Sequence, residues 1–296
     1  MKFRSVVLAL LLAAPVLALG ASANFTDNQY HEYILTNWDE TNLDVIIVPP
    51  AAVNSATRLA AVEQSIDAWK SGIQAEAAPW LAQGLQINHY TLGVDAIPQS
   101  ALDDPDIIVL SGEVNPFLLF GIGADWHQFV CSFVIISGSI GPVQVAPAPG
   151  APLGTTLAPQ WHQHEGSDWA STRIDCKGGT AQRCFVVNTN FAFHVDSNYR
   201  MYNLNAHEFG HCLGLGHVGD ALDFKAKTFP TKDIMSYQHD TNHVFCVSTL
   251  NVRALEGIYA PHFGRPTSEW LMPGDYYHMS PTNYRNVNCP NPATRA

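Results

Sequence analysis

The chain has 296 residues, 14% of them charged, with 26 acidic against 15 basic residues and a net charge of −11. That balance argues against nucleic acid and anionic membrane surfaces as main partners, because both reward clustered Lys and Arg. The length is enough for one large domain or two small ones built on a sizeable core.

At the start of the chain, Lys2 and Arg4 precede an apolar run over 6–19, and Ala21-Ser22-Ala23 offers small residues for cleavage. Residues 1–23 therefore read as a secretory signal peptide. The run is shorter than the ~20 apolar residues of a spanning helix, and a later apolar stretch over 116–145 is interrupted by Asp125, His127 and Gln128. The expected product is a secreted protein without a membrane span. Residues 24–43 are polar with scattered aromatics and read as an N-terminal extension or short pro-segment, in which Asn24-Phe25-Thr26 fits a glycosylation sequon.

The first strand is expected over 43–48, stopped by Pro49-Pro50. Asn54 or Ser55 can then cap a helix in which Leu59, Val62, Ile66, Trp69 and Ile73 recur at spacings of three and four. This is the pattern of a one-sided helix packed on a sheet. Short runs rich in β-branched and aromatic residues predict strands over 86–92, 106–110, 128–136 and 184–193. Between the last two, a Gly/Pro/Ala-rich passage without periodicity reads as a surface insertion near 140–180. A further helix is expected from Ser197 until Gly214, where a left-handed residue can end it. The last helix is expected over 249–259, with Val252, Leu255, Ile258 and Tyr259 on one side and Pro261 just beyond. Residues 44–264 thus form one domain, and the proline-rich residues 265–296 read as an irregular C-terminal extension.

Six cysteines, Cys131, Cys176, Cys184, Cys212, Cys246 and Cys289, follow the leader. An even count in an exported protein suggests disulfides. Three bonds are expected, but six cysteines permit about 15 pairings and sequence alone does not choose among them; Cys176 with Cys184, closing a loop around Gly178-Gly179, and Cys212 with Cys246 are a guess among these. A cysteine zinc cluster is disfavoured because no CxxC occurs.

The densest chemistry lies in HEFGHCLGLGH, residues 207–217. Residues four apart on a helix differ by about 400° in direction and ~6 Å in rise, so His207 and His211 project side by side and can hold one metal ion. Glu208 lies about 100° further round, where its carboxylate can reach a water at the ion rather than the ion itself. A catalytic zinc site takes three protein ligands and keeps one open position. A third ligand six residues past His211 would sit about 9 Å further along a continuing helix. A break at Gly214 instead lets Leu215-Gly216 turn back and bring His217 to the ion. The competing reading is an amphipathic core helix whose histidines fall there by chance; the glycine and third histidine at these offsets weigh against it. Downstream, DIMSY supplies Met235 and Tyr237.

Together HExxHxxGxxH and a methionine turn resemble the metzincin clan of zinc endopeptidases, over roughly residues 207–237. The zinc motif looks like the matrixin version, as do the strand-helix-strand order upstream and the late helix ending GIY. DIMSY is similar to the astacin and serralysin turn. The resemblance implies an α+β fold: a twisted mixed β-sheet packed with a back helix, an active-site helix ending at a Gly turn, and a C-terminal helix. It implies one catalytic Zn2+ on His207, His211 and His217, with Glu208 as general base. Gly214 and Met235 would be structural, and Tyr237 would donate to the developing oxyanion or ligate zinc. The substrate would be a protein or peptide laid along an edge strand, and the enzyme a monomer.

Some matrixin features are missing. No cysteine precedes Cys131, so a cysteine-switch propeptide is not expected, and the segment that builds a structural zinc and calcium site is not recognisable. His162 and His164 could bind an additional structural Ca2+ or Zn2+ but read better as solvated loop residues, as does His194. A zinc-stabilised secreted binding or adhesion protein without catalysis is the alternative function; Glu208 speaks against it, since a structural site fills its fourth position with protein. A thermolysin-like enzyme with a distant glutamate ligand is disfavoured because His217 already fills that role.

Overall fold

The computed structural model describes residues 29–49, 55–111, 132–137, 170–177, 180–188, 198–218, 232–236, 244–287 and 289–290. In chain order its strands and α-helices are β1 (Tyr30–Ile34), β2 (Asn37–Trp38), β3 (Asn42–Val48), α1 (Ser55–Glu76), α2 (Pro79–Gly84), β4 (Gln86–Thr91), α3 (Gln99–Asp103) and β5 (Ile107–Ser111). These are followed by β6 (Ser132–Ser137), β7 (Ala170–Lys177), β8 (Thr180–Asn188), α4 (Asn198–Cys212), β9 (Leu215–Val218), α5 (Thr249–Tyr259) and β10 (Tyr276–Met279).

The run LDVIIV becomes a strand buried on both faces. Leu43, Val45, Ile46 and Ile47 are all in the core, as expected where helices cover a parallel sheet. β3 pairs in parallel with β4 on one side and β5 on the other, and β5 pairs in parallel with β8. The antiparallel strands β7 and β6 follow, giving the order β4-β3-β5-β8-β7-β6, while β2 pairs with the start of β8. The fold is therefore a mixed α/β architecture with parallel and antiparallel pairing. Parallel neighbours need a crossover, which α1 supplies between β3 and β4. Its Val62, Ile66, Trp69 and Ile73 are buried, each contributing about 1.5–3 kcal/mol by leaving water. Trp69 also donates its indole N–H to the Ala206 carbonyl at 2.7 Å, joining α1 to α4.

Two stretches read as extensions contribute strands. β1 pairs antiparallel with both β10 and β9, forming a second, three-stranded sheet in the order β10-β1-β9. Ile34 and Met279 from this sheet are buried. YHEYI and YYHM lack a plain apolar alternation, and their partners lie at the opposite end of the chain, so no local signal marks them. Part of the insertion near 140–180 is likewise strand, since β7 occupies Ala170–Lys177. β6 is described over Ser132–Ser137, within and just past the expected stretch, and β8 starts earlier than expected, at Thr180. α5 spans the expected residues and is closed at its start by a capping box between Ser248 and Asn251.

The expected pairings of Cys176 with Cys184 and Cys212 with Cys246 are corrected. Cys184 bonds Cys212, and Cys246 bonds Cys289. The Cys184 strand lies against the end of α4, and the tail returns to Cys246. With sequence separations of 28 and 43, chain-entropy reasoning gives each bond about 4 kcal/mol. Such bonds fit an oxidising environment. Among the described residues no helix is long and apolar enough to cross a membrane.

At the entry to the parallel strands, Asp106 accepts the Asp44 N–H at 2.7 Å. Burial, with Glu40, Asp44 and Asp104 nearby, pushes its carboxyl up to about 6, against ~3.9 in an unfolded chain. Between those values the folded state holds a proton that the unfolded chain has lost, so stability falls as pH rises through this window. Asp106→Asn keeps an oxygen acceptor and removes the charge. It should raise the melting temperature by a few degrees at about pH 7.5 and leave it unchanged near pH 4, which thermal denaturation followed by circular dichroism at the two pH values will check.

Candidate metal centre

Helix α4 runs through the interior, and every residue from 201 to 218 is buried. Gly210 makes this seat possible. A Cβ there would lie 2.3 Å from Met235 Sδ and 2.6 Å from Trp69 Cζ2, so only a glycine lets the helix settle between α1 and the turn around Met235. A glycine inside a helix costs about 1 kcal/mol relative to alanine, which is the signal the sequence reading passed over. Gly214 ends the helix with φ 106°, a left-handed conformation that favours glycine. A Cβ at Gly214 would also meet the Thr36 carbonyl oxygen at 2.4 Å. The Gly214 carbonyl accepts N–H bonds from Leu35 at 2.8 Å and Thr36 at 3.3 Å. The chain then reverses into β9, carrying His217 back.

The reversal brings together the three histidines read from the motif. His207 Nε2 lies 3.1 Å from His217 Nε2 and 3.1 Å from His211 Nε2. All three are buried, with exposures of 2% for His207, 0% for His211 and 8% for His217. His207 Nδ1 is 2.7 Å from the Ile234 carbonyl and His211 Nδ1 is 2.8 Å from the Leu215 carbonyl. A carbonyl oxygen only accepts, so in both rings Nδ1 carries the proton and donates, leaving Nε2 with a bare lone pair in the neutral imidazole. Bare lone pairs facing each other at this distance repel, and a shared cation or proton reconciles them. Four-coordinate zinc with bonds of ~2.0–2.1 Å separates its nitrogen ligands by roughly 3.3 Å, so the donor set fits a metal ion. Among the described residues this is the one group of three or more His, Cys, Asp or Glu placed to hold one.

Glu208 follows His207 on the same helix and is fully buried. Met235 is buried beneath α4, and its carbonyl accepts the Val218 N–H at 3.0 Å, tying the turn to the strand that carries His217. Tyr237, His162, His164 and His194 lie outside the described residues.

A buried polar network behind the turn was missed from sequence. Asp233 Oδ1 accepts the Met235 N–H at 2.8 Å, and its Oδ2 accepts the hydroxyls of Ser248 at 2.6 Å and Tyr284 at 3.2 Å. Asn251 Nδ2 donates to Asp233 Oδ1 at 3.2 Å and to Glu32 Oε2 at 2.8 Å. Burial pushes Glu32 well above the usual carboxylate range, reinforced by the Asp233 charge. Burial also raises Asp233, opposed by its hydrogen bonds to Ser248, Met235, Asn251 and Tyr284. One visible signal was the aspartate two residues before Met235 in DIMSY; Glu32, in a stretch read as an extension, carried none.

No protein-family model matches the chain, and no curated protein matches it in sequence.

Two measurements test this geometry. Zn2+ at about a thousand times its dissociation constant should stabilise the folded protein by about 4 kcal/mol, raising the melting temperature of the parent, whereas His217→Ala should lose most of that rise. Gly214→Ala should destabilise by at least about 2 kcal/mol, from backbone strain together with the clash on Thr36, as read by urea denaturation; an unchanged midpoint would contradict the described turn.

Proposed function

We propose that the protein is a secreted zinc-dependent endopeptidase of the metzincin type. The observation that carries this reading is the convergence of the His207, His211 and His217 Nε2 atoms, with Glu208 adjacent on the helix that supplies two of them. Three neutral imidazoles suit zinc. Further support comes from the arrangement around them: a mixed sheet, a helix packed behind the metal helix, a glycine turn after it, a methionine beneath it and a late helix. These are the parts that the resemblance of HEFGHCLGLGH and DIMSY to metzincins implies.

A zinc ion held by the three histidines would supply Lewis-acid chemistry, polarising the scissile carbonyl and acidifying water. The chain's own residues do the rest. A Glu208 carboxylate oxygen takes a proton from the attacking water as the new C–O bond forms, then passes it to the leaving amine nitrogen as the C–N bond breaks. Tyr237 is assigned the role of donor to the oxyanion. A peptide substrate binds extended, by strand addition to a sheet edge. On the side of the sheet where α4 packs against β7 and β8, β6 ends the described pairing order, and it is the strand assigned to that edge. Hydrolysis needs no second subunit in this scheme, which fits a monomer.

The test is digestion of a mixed peptide library by the zinc-loaded protein, read by mass spectrometry beside Glu208→Gln. The parent should cleave and the variant should lose about 10²–10⁴-fold in rate, while both bind zinc. A folded, zinc-loaded parent that cuts nothing would overturn the reading in favour of a zinc-stabilised binding protein.

A further inference from the structure

We propose that Asp233 is a positioning residue for the metal ligand His207, and that Asn251 and Glu32 brace it, so that the N-terminal strand β1 helps to set metal affinity. This rests on the triad's holding a metal ion, not on catalysis. The His207 ring is oriented by the Ile234 carbonyl, and Ile234 is the middle residue of the loop that Asp233 closes by accepting the Met235 N–H. That loop is held on both flanks. Ile234 N–H donates to the Cys246 carbonyl at 2.9 Å, and Cys246 N–H donates to the Lys232 carbonyl at 2.7 Å.

Lys232 has φ 97°, a left-handed conformation that costs about 1–3 kcal/mol for a residue with a side chain and persists only where the surroundings enforce it. Asp233 is the enforcing group next to it. Its carboxylate gathers four described hydrogen bonds, from Met235, Ser248, Asn251 and Tyr284. Without them the turn can relax at Lys232, and the Ile234 carbonyl loses its aim at His207 Nδ1.

β1 enters twice. Glu32 Oε2 receives one proton of the Asn251 amide whose other proton goes to Asp233. The backbone of β1 also pairs with β9 at Glu32 with Val218 and Ile34 with Leu215. Leu215 supplies the carbonyl for His211 Nδ1, and Val218 follows His217. All three ligands therefore have a neighbour tied to β1, although no residue of β1 belongs to the triad.

The experiment measures Zn2+ affinity by competition with a chelating dye, together with the Nδ1–H proton resonance of His207 by NMR, in the full-length parent, Asp233→Ala, Asp233→Asn and Asn251→Ala. Asp233→Ala should weaken Zn2+ about tenfold to a hundredfold, the range for losing an outer-shell partner, and should broaden or shift the His207 resonance. Asp233→Asn retains an oxygen for the Met235 N–H and should recover most of the affinity, a rescue that general loss of packing would not give. Should Asp233→Ala fail to fold, Asn251→Ala decides: it leaves Asp233 in place, touches no ligand, and should still weaken Zn2+ severalfold and move the resonance. Parental affinity with an unmoved resonance in a folded variant overturns the proposal. A parent that binds no Zn2+ overturns the metal reading itself, so the two failures are distinct.

Discussion

Two backbone carbonyls, those of Ile234 and Leu215, set the chemistry of this protein. By accepting protons from His207 Nδ1 and His211 Nδ1, they fix which nitrogen of each ring stays bare. The bare nitrogens then face His217 and each other inside the protein, where water cannot solvate them freely. A cation shared by the three rings would stabilise such a cluster. The elements that deliver those carbonyls must be rigid to a fraction of an ångström. Much of the surrounding structure meets that demand.

The end of α4 shows how rigidity is obtained. A helix terminus leaves carbonyls without intrahelical partners. Here the Cys212 carbonyl accepts the Trp38 indole N–H at 2.6 Å, while the Cys212 side chain is bonded to Cys184 in the central sheet. Gly214 reverses the chain within two residues, and its carbonyl is taken by Leu35 and Thr36. The last turn of the metal helix is thus fixed by an indole, a disulfide and two backbone donors before β9 begins. Gly210 and Gly214 act differently: one gives up a side chain so that Trp69 and Met235 can approach, the other adopts a conformation that other residues resist.

Legibility in the sequence followed locality. α1 was readable because Val62, Ile66, Trp69 and Ile73 repeat at helical spacing, and β3 because LDVIIV is continuous and stopped by prolines. The triad was readable because its three members lie within eleven residues and the glycine that folds them together lies between. β1 and β10 were not, since each is stabilised by a partner more than two hundred residues away and pattern alone assigns them to extensions. The disulfides join Cys184 to Cys212 and Cys246 to Cys289, pairs set by how the strand, the helix end and the tail meet in space, which the spacing of the cysteines does not show. Glu32 illustrates the limit best: a glutamate in a polar aromatic stretch reads as solvated, and only the arrival of Asn251 and Asp233 in space makes it an interior group.

This division between local ligands and distant supports has a consequence for folding. α4 and its histidines can form early, since helical contacts are short in sequence. The full set of supports is less local: Asp233 reaches Asn251 across 18 residues, but Tyr284 joins it across 51 and Glu32 joins Asn251 across 219. On the proposed coupling, the turn at Lys232 and the direction of the His207 ring are held less firmly until Glu32 arrives, and a metal ion would bind less tightly. A metal ion held by the triad and closure of the chain ends would then favour one another by linkage. An ion held by residues 207–217 would in this way stabilise the pairing of residues near 30 with residues near 280, so that part of its binding free energy would go into contacts between distant segments of the chain.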